Sequence, residues 1–173
     1  MTKELHDTLR KEFDDVRIRH HQSRTESLRK RFGPLFEAMS QSSTLAANSI
    51  HDPDPFVRLA ALSILKSIHG KDLLEPIAED LLFMVFKDVD FEVRTMAIYC
   101  VRTIYSRTKD QSTLRKLALL VRDTTQDICV RRAGLEGLYE VDGHPVESWP
   151  GFFSDDFDIS KDVDWHYVDR FIS

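Results

Sequence analysis

The sequence predicts an all-α chain, an α-solenoid of about three helical hairpins, and three observations carry that prediction. The pattern Asp54-Pro55-Phe56-Val57-Arg58 returns as Asp90-Phe91-Glu92-Val93-Arg94 and as Asp127-Ile128-Cys129-Val130-Arg131, at steps of 36 and 37 residues. A fixed period of that length is the signature of stacked helical units. Each copy opens on an aspartate, whose carboxylate accepts from the unpaired N–H groups of a helix's first turn and opposes its dipole; Pro55 adds a residue suited to the first helical position. Counted at 100° per residue from the valine, the inward offsets hold Val57, Ala61, Ile64, Leu65 and Ile68; Val93, Ala97, Cys100, Val101 and Ile104; and Val130, Gly134, Gly137, Leu138 and Val141. Apart from the two glycines every entry is apolar, which is one face of a buried helix.

A chain of 173 residues with 42% hydrophobic and 31% charged content forms one domain, residues 1–173, with a substantial core. No apolar run approaches the length that spans a bilayer, and the polar Met1-Thr2-Lys3-Glu4 opens no secretory signal, so the expected location is cytoplasmic and no membrane is expected as partner. Cys100 and Cys129 fall on predicted buried or near-buried helix positions and read as small apolar side chains, with no cofactor or metal implied. The net charge of −5 is unevenly spread. Residues 1–34 carry nine Lys/Arg against six Asp/Glu, whereas 140–173 carry two against nine. A basic head and an acidic tail argue against a general nucleic-acid binder.

In order, residues 1–33 form a helical N-terminal cap, with Leu5, Leu9, Phe13 and Val16 on one face and Leu28 and Phe32 on a second helix before Gly33-Pro34. It covers the open edge of the first hairpin, as terminal units of stacked arrays do. Its arginines read first as a solvated face and second as a docking patch for an acidic partner.

Residues 34–70 form the first repeat; Ser40-Gln41-Ser42-Ser43 kinks or splits its first helix, and Gly70 ends the second. Residues 71–109 form the next, whose first helix, from Leu73 to Phe86, is apolar nearly all round, as a middle layer should be. Residues 110–142 form the third. Gly134 and Gly137 each cost about 1 kcal/mol against alanine in a helix, so something packs close to that face, with Trp149, Phe152 and Phe153 the nearest large candidates. Residues 143–173 form an irregular acidic and aromatic C-terminal cap, ending in a short helix from about Val163 to Ile172 with Trp165, Val168 and Ile172 inward.

Helix, turn with aspartate, then a second helix opening Val-Arg with a small residue four positions on: in this the chain resembles the HEAT-repeat proteins, in particular the short bacterial HEAT-like repeats, over residues 34–142. The resemblance implies a ladder between adjacent repeats, formed here by Asp52 and Asp88 with Arg58, Arg94 and Arg131; repeat three departs, with Thr125 at the aspartate's place and Asp123 two residues earlier. It also implies a non-enzymatic protein that binds partners on its second helices. On the wheel the outward positions there are Leu59, Thr95 and Arg132; Ser63, Tyr99 and Glu136; and Lys66, Arg102 and Tyr139. Such residue types anchor protein interfaces, although an ordinary solvated face is the other reading.

The run Asp156-Phe157-Asp158-Ile159-Ser160-Lys161-Asp162 alternates oxygen ligands as a calcium loop begins, but Lys161 stands at the turn glycine and Tyr167 at the bidentate glutamate, so an acidic surface is the better reading. No phosphate loop, nucleophile elbow or Cys/His pairing is present. The expected function is protein binding without catalysis. In its concrete form the chain is similar to the immunity proteins that bacteria pair with toxins, with Asp155, Asp156, Asp158, Asp162 and Asp164 set to occupy the cleft of a basic toxin or nuclease domain. The second-helix residues Lys66, Tyr99, Arg102, Arg132, Glu136 and Tyr139 are the other candidate contact set. The competing expectation is a scaffold or adaptor. HEAT-like DNA glycosylases and phycobilin lyases share the fold, but the acidic tail repels phosphates and fold analogy alone is weak warrant. A monomer or weak oligomer is expected.

Overall fold

The computed structural model describes residues 33–151 and 157–173. The expected N-terminal helices, together with Phe152, Phe153, Asp155 and Asp156, lie outside the described residues. Those described are helical with connecting turns and no strand.

Helix α1 covers 33–41, and the chain breaks at Ser42, whose side chain accepts from Leu45 N and caps α2, Ser43–Ser49. Serines hydrogen-bond locally and compete with helix continuation, so the polar run splits the helix as its composition predicts. Helix α3, Pro55–Ile64, is capped by Asp54, which accepts from Phe56 N at 2.9 Å. Its last turn widens to a π-turn over Leu65–His69, closed by Gly70 N donating to Leu65 O at 2.8 Å and by Gly70 itself at φ 77°. The wider turn moves Ile68 out of phase. It was expected on the buried stripe and is 50% exposed.

The second repeat's first helix is not continuous. It comprises α4, Lys71–Leu74, a 3₁₀ turn at Glu75–Ile77, and α5, Ala78–Lys87. Pro76 has no N–H to donate and its ring crowds the preceding turn, which accounts for the break. Helix α6, Phe91–Ile104, is capped by Asp90; α7, Gln111–Arg122, by Asp110; and α8, Ile128–Asp142, by Asp127, with Gly143 closing it in the left-handed region at φ 85°. The three recurring aspartates all cap as their position predicts.

Helices α2 and α3, α5 and α6, and α7 and α8 pack as consecutive pairs, and α3, α6 and α8 pack on one another in that order. Every inward position of the three stripes is buried except Ile68. Each buried leucine in this layer, such as Leu62, Leu65, Leu114 or Leu117, contributes about 1.5–3 kcal/mol from lost water contact. The glycines of α8 do lie under close neighbours, but these are not Trp149. A methyl group at Gly134 would stand 3.2 Å from Leu120 Cδ2 and 3.3 Å from Val121 Cγ2; at Gly137 it would stand 3.3 Å from Leu117 Cδ1. The glycines therefore let α8 approach α7.

After a 3₁₀ turn at Val146–Ser148 the described chain resumes at Phe157 and ends in α9, Trp165–Asp169, capped by Asp164. Helix α9 is shorter at both ends than expected. Val168 is fully buried and Tyr167 nearly so, while Trp165 and Ile172 are half-buried. Among the described residues no helix is long and apolar enough to cross a membrane.

Candidate interaction surfaces

The recurring arginines sit on the turns that join the helix pairs, one turn into each second helix. Arg58 donates Nη1 to the carbonyls of Asp52 and Pro53, at 2.8 and 3.1 Å, and Arg94 repeats the geometry with Asp88 and Val89, at 2.7 and 3.3 Å. Both arginines thereby satisfy turn carbonyls that have no helical partner. Arg58 also forms a two-pronged pair with Asp88 of the following repeat, Nε to Oδ2 at 2.9 Å and Nη2 to Oδ1 at 2.7 Å. Asp88 holds its own turn as well, accepting from Asp90 N at 2.9 Å. The charge-assisted bonds and the facing carboxylates hold the Arg58 guanidinium above its ordinary pKa.

The next rung is missing. Thr125 stands where the aspartate would be, and Arg94 Nε is buried with no hydrogen-bond partner among the described residues. The α7–α8 loop runs from Asp123 to Asp127, two residues longer than the α5–α6 loop from Asp88 to Asp90. Asp123 turns into that loop, accepting from Thr125 N, Thr125 Oγ1 and Gln126 Nε2, which hold its carboxyl below the usual range. Arg131 reaches past the longer loop to Val121 O, at 2.9 Å.

The second-helix strip does not face solvent as the wheel predicts. Leu59, Ser63, Thr95, Arg102, Glu136 and Tyr139 are buried, and Lys66, Tyr99 and Arg132 are partly so. Burial of charge is tolerated because Arg102 on α6 and Glu136 on α8 neutralise each other across the helix contact. Nη1 lies 2.6 Å from Oε2, with the two residues 8% and 4% exposed. Arg102 also lies over the Tyr99 ring at 4.6 Å. The hydroxyls of Ser63 and Thr95 donate to carbonyls one turn back, which removes the cost of placing them there. Opposite charges at neighbouring strip positions of adjacent repeats were the signal in the sequence for this pairing.

The C-terminal residues pack against the end of α8 and the side of α7. Tyr167 stacks on Tyr139 with centroids 4.4 Å apart, His144 and Phe171 meet Tyr167 edge-on, and Arg122 lies 4.2 Å over Trp165 while donating to both carboxylate oxygens of Asp169. Asp142 at the end of α8 accepts from Arg170 and from Tyr167 Oη at 3.3 Å, with His144 Nε2 at 2.9 Å. Burial, then the charge of Asp142, pushes the Tyr167 phenol well above its ordinary range. Sequence reading placed Val168 here but missed this clasp, because Asp142, Tyr167 and Arg170 converge only through the fold.

The described acidic residues of this segment each have a local task. Asp158 accepts from Ser160 N at 2.9 Å and pairs with Lys161 at 2.6 Å, so that Lys161, then Ser160, hold its carboxyl below the ordinary range. Asp162 accepts from Asp158 N at 2.8 Å, and Asp164 caps α9 through His166 N and Tyr167 N. Asp162 and Asp164 remain exposed and Asp158 half-exposed. Arg132 lies over the Phe157 ring at 5.0 Å, which ties this lobe to α8.

No protein-family model matches this chain, and neither a curated protein sequence nor a solved structure matches it.

Proposed function

We propose that this chain is a non-enzymatic, cytoplasmic protein-binding module, a HEAT-like α-solenoid, that neutralises a basic partner such as a toxin or nuclease domain in the manner of an immunity protein. The observation that carries the reading is an exposed acidic lobe on a fixed base. Asp162 and Asp164 are exposed, with half-exposed Asp158 paired to Lys161 beside them, on a segment whose Ile159, Val163, Tyr167 and Val168 are buried and whose α9 is tied to α7 by the Arg122–Asp169 pair. Charges held in place lose little freedom on binding, and acidic groups steer and fit a basic cleft. The solenoid reading draws support from the succession of packed helix pairs and from the Arg58–Asp88 rung between the first and second repeats. With Arg102, Glu136 and Tyr139 buried and Lys66, Tyr99 and Arg132 partly so, the binding role moves from the second-helix strip to the lobe.

The test is affinity capture from the native host with the full chain, at about 150 mM salt, beside the variant Asp158→Asn/Asp162→Asn/Asp164→Asn. Asparagine keeps the side-chain oxygen that caps α9 and removes only charge. A basic protein retained by the parent and lost from the variant supports the reading. Retention unchanged by the variant overturns it, and simultaneous retention of two partners that do not bind each other favours a scaffold.

A further inference from the structure

The turn edge of the helix pairs carries an apolar row that packing does not account for. Phe91 and Ile128 occupy the first position of α6 and α8 and are 42% and 53% exposed, and Val89, in the turn before α6, is 90% exposed. Pro55 holds the same position at the start of α3. Since α3, α6 and α8 pack on one another in sequence, these positions follow one another at the interaxial step of packed helices, roughly 8–10 Å.

The same edge is acidic. Asp54, Asp90 and Asp127 stand beside the three first positions, with Asp123 in the last turn, while Arg58 and Arg94 bond turn carbonyls and Arg131 bonds Val121 O in the last turn of α7, Arg94 and Arg131 staying half-exposed. Lys87 is the exposed cation beside Val89. Apolar points flanked by carboxylates, repeated at a regular step, define the chemistry of an occupant. An α-helix rises about 1.5 Å per residue, so side chains seven apart recur at about 10.5 Å, close to the spacing of the row. We infer that this edge docks a basic amphipathic helix of a partner protein, one apolar side chain per heptad meeting Pro55, Phe91 with Val89, and Ile128 in turn, and flanking lysines or arginines meeting Asp54, Asp90 and Asp127. Helix docking by regularly spaced apolar anchors is an established recognition mode, and charge complementarity fixes its direction and register. The inference goes beyond the acidic-lobe reading and uses none of its residues.

The probe is a synthetic 18-residue helical peptide with leucines seven apart flanked by lysines, compared with a scrambled peptide of the same composition. Both are titrated into the full ¹⁵N-labelled chain at about 150 mM salt. The expected result is amide shifts concentrated at residues 87–92 and 124–129, with at least tenfold weaker binding of the scrambled peptide. Val89→Ser/Ile128→Ser should weaken the ordered peptide at least tenfold while leaving the circular dichroism spectrum unchanged. The asparagine variant of the acidic lobe should bind it as the parent does. Equal affinity for both peptides, shifts confined to the acidic lobe, or a double variant that binds like the parent overturns the inference. Concentration-dependent dimerisation that the double variant abolishes also overturns it, by making a second copy the occupant.

Discussion

Arg58 and Arg94 occupy the same position in consecutive repeats and make the same carbonyl bonds, yet among the described residues Arg58 has a carboxylate partner and Arg94 has none. Replacing each by methionine keeps much of the packing of the side-chain stem and removes the charge. For Arg58→Met the loss includes a two-pronged pair whose side chains are 10% and 6% exposed, and it leaves the Asp88 carboxylate largely buried. Breaking such a pair costs about 3–5 kcal/mol. Asp88 keeps its bond from Asp90 N, which places the expected loss at the lower end, about 3 kcal/mol. Arg94→Met loses two carbonyl bonds but also removes a buried N–H that has no acceptor, so about 1 kcal/mol or less is expected. The difference of about 2 kcal/mol corresponds to roughly 4–8 °C in Tm for a chain of this size. Urea unfolding of the full chain, followed by far-ultraviolet circular dichroism, measures both losses directly. Equal losses for the two variants, or a larger loss at Arg94, would refute the argument that the rung distinguishes them.

Other expectations follow from the same contacts. Burial pushes the Cys100 thiol up to about 12, so it stays protonated at pH 8 while exposed Cys129 reacts; a thiol reagent should modify one cysteine in the native chain and two in denaturant. Because the folded value of Cys100 lies above the unfolded one, its contribution to stability declines as pH rises from about 8.5 toward 12, and Cys100→Ala should flatten that alkaline limb. Asp169 is held below its ordinary value by Arg122, so its contribution is present above about pH 4 and lost on further acidification; Asp169→Asn should flatten the acid limb of the stability profile. Gly134→Val drives methyl groups toward Leu120 and Val121 and should cost about 1–3 kcal/mol, read in the same urea assay.

What the sequence made legible is what local chemistry decides. Asp54, Asp90 and Asp127 cap because an N-cap needs only its own first turn, and the valine stripe is buried because helix periodicity sets one face. Ile68 left the stripe where Gly70 let the chain widen into a π-turn, and Pro76 broke a run whose hydrophobicity alone reads as continuous. The far face of the second helices was misread for a different reason. Periodicity shows where apolar residues cluster, but burial of Arg102 and Glu136 depends on their meeting across a helix contact between residues 34 positions apart. The C-terminal clasp of Asp142, Tyr167 and Arg170 is likewise a product of the fold, with no local pattern to announce it. The departure at Thr125, by contrast, was visible in the sequence, and its physical counterpart is the orphaned Arg94 Nε.

The central claim is that the acidic lobe, on its fixed base, binds a basic protein. The measurement that tests it most directly is calorimetric titration of the captured partner into the full chain at increasing salt. The account predicts a complex that weakens steadily as salt screens the charges and weakens at least tenfold in Asp158→Asn/Asp162→Asn/Asp164→Asn. An affinity indifferent to both salt and the three substitutions would contradict it.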